Sequence, residues 1–307
     1  MERNWRLAGR RKTLRQRALI LREIKRFFVE SAYLEIETPY RVPAPAPESH
    51  IDAIGSGDWY LQTSPELCMK RLMAAGYEKI FQICRCWREG ERGSRHLPEF
   101  TMLEWYRAGC DYQGLMKECE EMIRRVAASV GAGERLVYLD REIDLKGPWE
   151  RISVKKAFER YSTVTTGEAL LRDTFDEVMV RDIEPRLGAG RPTFIYDYPA
   201  ERRALARLKE EDPTEAERFE LYIGGLELAN GFSELVDPQE QRIHFQEEND
   251  YRVSMGRAAY AISERFLEEL GNMPPSAGIA LGVDRLVMVF TDARRIDDVV
   301  AFTPEEL

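Results

Sequence analysis

Residues 79–107, KIFQICRCWREGERGSRHLPEFTMLEWYR, set two strand-like runs on either side of a loop crowded with Arg, Glu and a His. The segment predicts an antiparallel hairpin, and a hairpin dictates which side chains share a face. In FTMLEWYR a period of two puts Phe100, Met102, Glu104 and Tyr106 together. Glu104 then stands among apolar neighbours, where a carboxylate without a partner is costly. Arg88 projects where the loop begins. A buried acid beside a basic loop fits a pocket that grips an amine and a phosphate at once. An amphipathic hairpin with solvated charges and structural ion pairs would carry the same pattern.

A second hairpin signal lies in ERFELYIGGLELANGFSELVD, where two runs meet at Gly224-Gly225. A tight turn pairs Ile223 with Leu226, Tyr222 with Glu227 and Glu220 with Ala229. Glu220 and Glu227 then lie diagonally on one face, roughly 7–8 Å apart. Such a pair suits Mg²⁺ bridging phosphates, because Mg²⁺ takes few protein ligands plus substrate oxygens. Two solvated Glu on an exposed sheet face are the plain alternative. Asn230, Phe232 and Glu234 have the opposite parity, so a bulge or bend near Gly231 is needed to bring both sets to one pocket.

Periodicity predicts a helix from Thr13 to about Ser31, with Leu14, Ala18, Leu21 and Phe28 on its apolar stripe. A strand-like YLEIET follows, then PYRVPAPAPESH, whose alternating prolines favour a stiff extended segment or a plain linker. In WYLQTSPELCMKRLMAAG a strand ends at Gln62, Thr63 or Ser64 caps a helix, Pro65 takes its first position and Gly76 stops it. Glu66 in that first turn complements the helix dipole or faces a pocket. Residues 111–130 read as a helix, 131–192 carry no motif, and RPTFIYDYP reads as a strand. In GIALGVDRLVMVF a strand turns at Gly282 into a helix opening with Val283, Asp284 and Arg285, which makes an anion site. Hairpins segregated from helices indicate an α+β fold.

Composition sets the outer limits. The 307 residues allow one large domain or two small ones. A net charge of -9, from 45 basic and 54 acidic residues, argues against a broad nucleic-acid footprint. The five Cys lack metal spacing and read as free thiols of a reducing, cytoplasmic compartment. With neither a signal peptide nor a long apolar run, no membrane association is expected.

Taken in order, these blocks resemble the three signature motifs of class II aminoacyl-tRNA synthetases. PYRVPAP is similar to motif 1, CRCWREGERGSRHLPEF to motif 2 and GIALGVDRLVMVF to motif 3. SPELCMKRL, PEFTMLEWY and GGLELANGFSEL resemble the lysine-specific branch. Lysyl-tRNA synthetases carry an N-terminal barrel that reads the anticodon, but only about a dozen residues precede the first helix here. They typically have Gly where this chain has Ala229. Both departures resemble the stand-alone branch that ligates (R)-β-lysine to a lysine of translation elongation factor P.

The resemblance implies an antiparallel sheet flanked by helices, one catalytic domain over 1–307 with no anticodon recognition, a motif 1 homodimer, and ATP and Mg²⁺ as cofactors. Arg88 and Arg285 would be the catalytic cations, on the α- and γ-phosphate sides, with His96 near Arg285. Phe100 would stack on adenine. Many relatives have Glu where this chain has Gly90, and Glu91 is a candidate replacement. Glu220 and Glu227 would hold Mg²⁺. Ser64 would line the substrate site and Glu66 would meet the backbone-type amine, while Glu104, Tyr106 and Glu234 would bind the far ammonium of lysine or (R)-β-lysine. Asn230 would take the carboxylate, Phe232 would wall the slot, and the Ala229 methyl would crowd an α-amine. A truncated lysyl-tRNA synthetase is the alternative enzyme reading, and a non-catalytic amino-acid-binding paralogue is the alternative of another class.

Overall fold

The hairpin at 79–107 forms the second and third strands of an eight-stranded sheet in a computed structural model that describes residues 5–307. In chain order the strands are β1 (Leu34–Glu35), β2 (Lys79–Trp87), β3 (Glu99–Ala108), β4 (Glu150–Ser153), β5 (Thr193–Pro199), β6 (Glu215–Ile223), β7 (Leu226–Ser233) and β8 (Ser276–Gly282). Their spatial order is β1-β2-β3-β8-β7-β6-β5-β4. The six central strands are antiparallel, but β1 runs parallel to β2 and β4 parallel to β5. The sheet is therefore antiparallel through its centre, as the family resemblance implied, with one parallel pairing at each border. Both parallel strands are short border strands reached by long connections, as parallel pairing requires.

Five helices bear on the site: α1 (Arg11–Glu30), α2 (Glu66–Ala74), α3 (Tyr112–Ser129), α4 (Pro238–Ser254) and α5 (Val283–Thr291). The first begins two residues before the expected Thr13. The third matches its predicted span, and Asp111 caps it by accepting from the Gly114 N–H at 2.8 Å. Helices α1, α3 and α5 cover one sheet face. Ile24, Phe28, Leu115, Ile123, Leu286 and Val287 pack there with Phe81, Leu103, Trp105, Leu221 and Leu281 from the strands. Each fully buried side chain of this kind contributes about 1.5–3 kcal/mol. Helices α2 and α4 bound the opposite face, where Met69, Met73 and Phe245 pack with Tyr106 and Phe232. Among the described residues no helix is long and apolar enough to cross a membrane.

Registers across the sheet explain how remote segments meet. One row runs Glu220, Asn230, Ala280, Glu104 and Gln82, from β6 to β2. The next runs Arg218, Phe232, Gly278, Tyr106 and Ile80. The Gly224-Gly225 turn has φ of 64° and 74°, as a tight hairpin needs. Tyr222 faces Glu227 as expected, but Leu221 faces Ala229 and Glu220 faces Asn230. The expected Glu220–Ala229 pairing is thus displaced by a bulge at Leu228. That bulge, and not a bend at Gly231, puts Glu227 on the same face as Asn230 and Phe232. Gly231 serves packing: a Cβ there would overlap the Phe219 ring.

Candidate active site

Two polar centres lie on the face bounded by α2 and α4. The first is a buried acidic cage. Glu104 is 1% exposed. Its carboxylate accepts from Ser64 Oγ at 2.5 Å and from the Tyr106 hydroxyl at 3.1 Å. Burial, and then the charge of Glu66, push its pKa up to about 8. Glu234, 2% exposed, is likewise raised to about 8 by burial. Ser64 also accepts the Glu66 N–H at 3.0 Å, but the N-cap position of α2 is taken by Pro65 and carries no side-chain cap, in place of the expected Thr63 or Ser64. Pro65, expected at the first helical position, immediately precedes Glu66, where α2 begins.

Gly278 makes the cage possible. It lies between Phe232 and Tyr106 across the sheet, and a Cβ there would overlap both Glu234 and the Tyr106 ring. A fourth charge completes the group. Lys70, fully buried, sits 2.6 Å from Glu66 Oε1 and 2.5 Å from Glu234 Oε2. These are ion pairs by distance only. The two Glu234 oxygens, Glu66 Oε1 and Lys70 Nζ make no aligned hydrogen bond within the protein. The ion pairs partner three of these atoms, and Glu234 Oε1 is the buried oxygen left open to a ligand donor.

The second centre is cationic on one side and acidic on the other. Arg285, in the first turn of α5, donates to the Glu227 carbonyl at 2.9 Å and to its carboxylate at 3.2 Å. It also donates to His96 Nε2 at 2.6 Å, since a guanidinium has no acceptor to offer. The His96 ring faces solvent in part, yet desolvation and the adjoining Arg285 lower its pKa and favour the neutral ring. The Arg88 guanidinium lies 5.2 Å from the Phe100 ring centroid and 3.8 Å from Glu91, and its buried Nε has no hydrogen-bond acceptor. Gly90 has φ +75°, a conformation that a Glu there would adopt only under strain.

Glu220 accepts from Arg218 at 2.6 Å and from Tyr222 at 2.8 Å, and burial and Glu227 together raise its pKa against the pull of Arg218. Glu184 joins this side, pushed up to about 7 by burial and by Glu220 and Glu227. Among the described residues no three acidic, His or Cys side chains are grouped to hold a metal ion, so a divalent cation here would have at most the Glu220 and Glu227 pair plus substrate oxygens. Arg218 also donates to the Asn230 side-chain oxygen at 3.1 Å, which links this centre to the Asn230–Glu104 row.

The structure thus gathers Ser64, Glu66, Glu104, Tyr106, Phe232 and Glu234 in one centre and Arg88, Glu91, His96, Phe100, Glu220, Glu227 and Arg285 around the other, with Asn230 between. Ala229 is the exception. Its methyl packs with Leu221 and Leu281 in the helix-side core, away from the cage it was expected to narrow. Four groups escaped the sequence. Lys70 reads as an ordinary i,i+4 partner of Glu66. Arg218 precedes the carboxylate pair by one strand period. Glu184 lies in the stretch without a motif. Glu48 ends the Pro-rich run, where burial raises its carboxyl to about 7 while Arg88 opposes. Arg252, 1% exposed, pins that run by donating to the Glu48 and Ile51 carbonyls at 2.8 and 2.7 Å and to Asp52 at 2.7 Å.

Comparison with known proteins adds an independent line. The model of the tRNA synthetases class II (D, K and N) family matches residues 3–306. The elongation factor P--(R)-beta-lysine ligase of Mannheimia succiniciproducens is 42% identical, over 97% of this chain and 97% of its own. Ligases of the same name from Vibrio atlanticus and Erwinia tasmaniensis are each 40% identical, over 98% of this chain and 98% and 97% of theirs.

Proposed function

This chain belongs to the class II tRNA synthetases of the D, K and N type, and from that premise we propose that it is an ATP-dependent ligase for elongation factor P. It activates (R)-β-lysine, or lysine, as an adenylate and joins it to a lysine side chain of that protein. The relatives' shared name supports the acceptor. The observation that carries the substrate is the cage of buried Glu104 and Glu234 with partly buried Glu66 beside them, because carboxylates shut away from water need cationic partners. All 307 residues would act as one catalytic domain, and the resemblance of the Pro-rich run to motif 1 supports a homodimer.

In the first step a substrate carboxylate oxygen attacks the α-phosphorus, and the bond to pyrophosphate breaks. The protein mainly positions reactants and offsets charge. Arg88 would meet the α-phosphate and the carboxylate, with Phe100 and Glu91 on the adenine side. Arg285, backed by neutral His96, would hold the far phosphates. Glu220 and Glu227 would hold Mg²⁺, which supplies positive charge to the phosphate oxygens when bound. Ser64 and Glu66 would orient the nearer amine, Glu104, Tyr106 and Glu234 the far ammonium, Asn230 the carboxylate, and Phe232 the methylene chain. In the second step the acceptor amine attacks the acyl carbon, AMP leaves, and the amine's proton goes to solvent.

ATP–pyrophosphate exchange with α- and β-lysine tests the activation. Each adenylate is then offered to elongation factor P and to tRNA. Transfer to elongation factor P is the expected result, and transfer to tRNA alone would overturn it.

A further inference from the structure

Lys70 has no part in the scheme above, yet it is the most buried charge in the cage. It lies on α2 one turn beyond Glu66, with its ammonium between Glu66 and Glu234 and 5.2 Å from the centroid of the Phe232 ring. No water reaches it. A lysine sealed in this way normally loses its proton. Burial does push its pKa down, but Glu234 and Glu66 overcome that and hold the ammonium charged. It therefore joins the two carboxylates assigned to opposite ends of the substrate.

We propose that Lys70 is a positioning residue that bridges the two amine-binding carboxylates and leaves the cage with the charge that a diamino acid neutralises. The inference rests on the lysine-type reading of the site. Glu66, Glu104 and Glu234 supply three negative charges when ionised, and Lys70 removes one. Two remain, and the two ammonium groups of a diamino acid cancel them, its carboxylate being offset by Arg88. A monoamino acid leaves one carboxylate sealed and unpaired, which is costly. Without Lys70 the cage would carry a surplus charge even around its own substrate, and it would retain a proton instead. The bridge also fixes the separation of Glu66 and Glu234, and hence the spacing of the two amines that the cage accepts.

The charged groups that face Lys70 are Glu66 from α2, Glu104 from β3 and Glu234 after β7; Tyr106 donates to Glu104, and Glu48 faces Glu66 and Arg88 from the Pro-rich run. The test compares full-length parent, Lys70→Met and Lys70→Arg enzymes in lysine-dependent ATP–pyrophosphate exchange between about pH 6 and 9. Lys70→Met should raise the KM for lysine roughly 100-fold and leave the KM for ATP within about twofold. The acidic limb of kcat/KM for lysine should move up by about one pH unit, because the cage acids hold their protons more tightly. Lys70→Arg keeps the charge and should keep the limb at its parental pH, with a smaller rise in KM. A parental limb in Lys70→Met, or equal losses toward ATP and lysine, would overturn the inference. If Lys70→Met does not fold, Lys70→Arg decides: a limb that stays in place supports the bridge, and one that shifts refutes it. A parent enzyme without lysine-dependent exchange would overturn the reading of the site as well.

Discussion

Arg285 and His96 meet at 2.6 Å, a guanidinium donating to a neutral imidazole, and this contact joins the start of α5 to the loop between β2 and β3. The pair should behave as a unit toward ATP. Arg285→Ala is expected to lower kcat/KM for ATP by about 10²–10³-fold, as the loss of a charge-stabilising donor does. His96→Ala should cost roughly tenfold, and the double variant less than the product of the two, because each side chain holds the other. Fully additive losses in steady-state exchange kinetics would refute the coupling.

The cage should leave its mark on stability against pH. Glu104 and Glu234 have folded pKa values of about 8, above the ordinary carboxyl value of 4.5. A group raised in this direction stabilises the fold fully below 4.5, and the contribution is lost as pH rises through the folded value. Apart from other groups, the ligand-free protein should therefore lose stability between about pH 4.5 and 8. Glu104→Gln should flatten part of that slope, and added lysine should oppose it. Denaturant midpoints across this range measure both effects. A Glu104→Gln profile parallel to the parent's would count against the buried acid.

Gly278→Ala should damage the cage from beneath. The new methyl would push Glu234 and Tyr106 apart. Overpacking of this kind costs about 1–3 kcal/mol, and the KM for lysine should rise while the KM for ATP changes little. Equal KM changes for the two substrates would show a general loss of structure instead.

Deletion of Leu228 tests the bulge. Removing that one residue restores regular pairing, brings Glu227 and Asn230 to i,i+2 spacing and so leaves Asn230, Phe232 and Glu234 on the same face as Glu227. Lysine-dependent exchange should therefore persist, within about tenfold of the parent, in a variant with a parental far-UV circular dichroism spectrum. Folded protein with exchange at background would show that the bulge does more than set the shared face.

Much of this arrangement was legible in the sequence, and the failures have identifiable causes. Alternation placed Glu104 and Tyr106 on one face because β3 is regular, and the two glycines announced the β6–β7 turn because their φ values demand glycine. The bulge carried no such mark. It falls at Leu228, a residue suited to ordinary strand geometry, so the need for a bulge was visible and its position was not. The same shift of parity turned Ala229 toward the core. Lys70 was hidden because i,i+4 Glu–Lys pairs are usually solvated surface pairs. Its function depends on Glu234, far away in the chain. Glu48 and Glu184 escaped because single acids in irregular segments acquire meaning only from what packs around them.

The clamp of Arg252 on the Pro-rich run bears on the thermodynamics of binding. Segment 48–52 is held through the Glu48 and Ile51 carbonyls and the Asp52 carboxylate, and Glu89 N–H donates to the Asp52 carbonyl at 2.7 Å. The wall that carries Glu48 is therefore ordered during folding, before any ligand arrives. The conformational entropy of that stretch, on the order of 1–2 kcal/mol per residue, is charged to the chain's own stability and not to the affinity for ATP or the amino acid. Cutting the clamp with Arg252→Ala would move that cost onto the binding step.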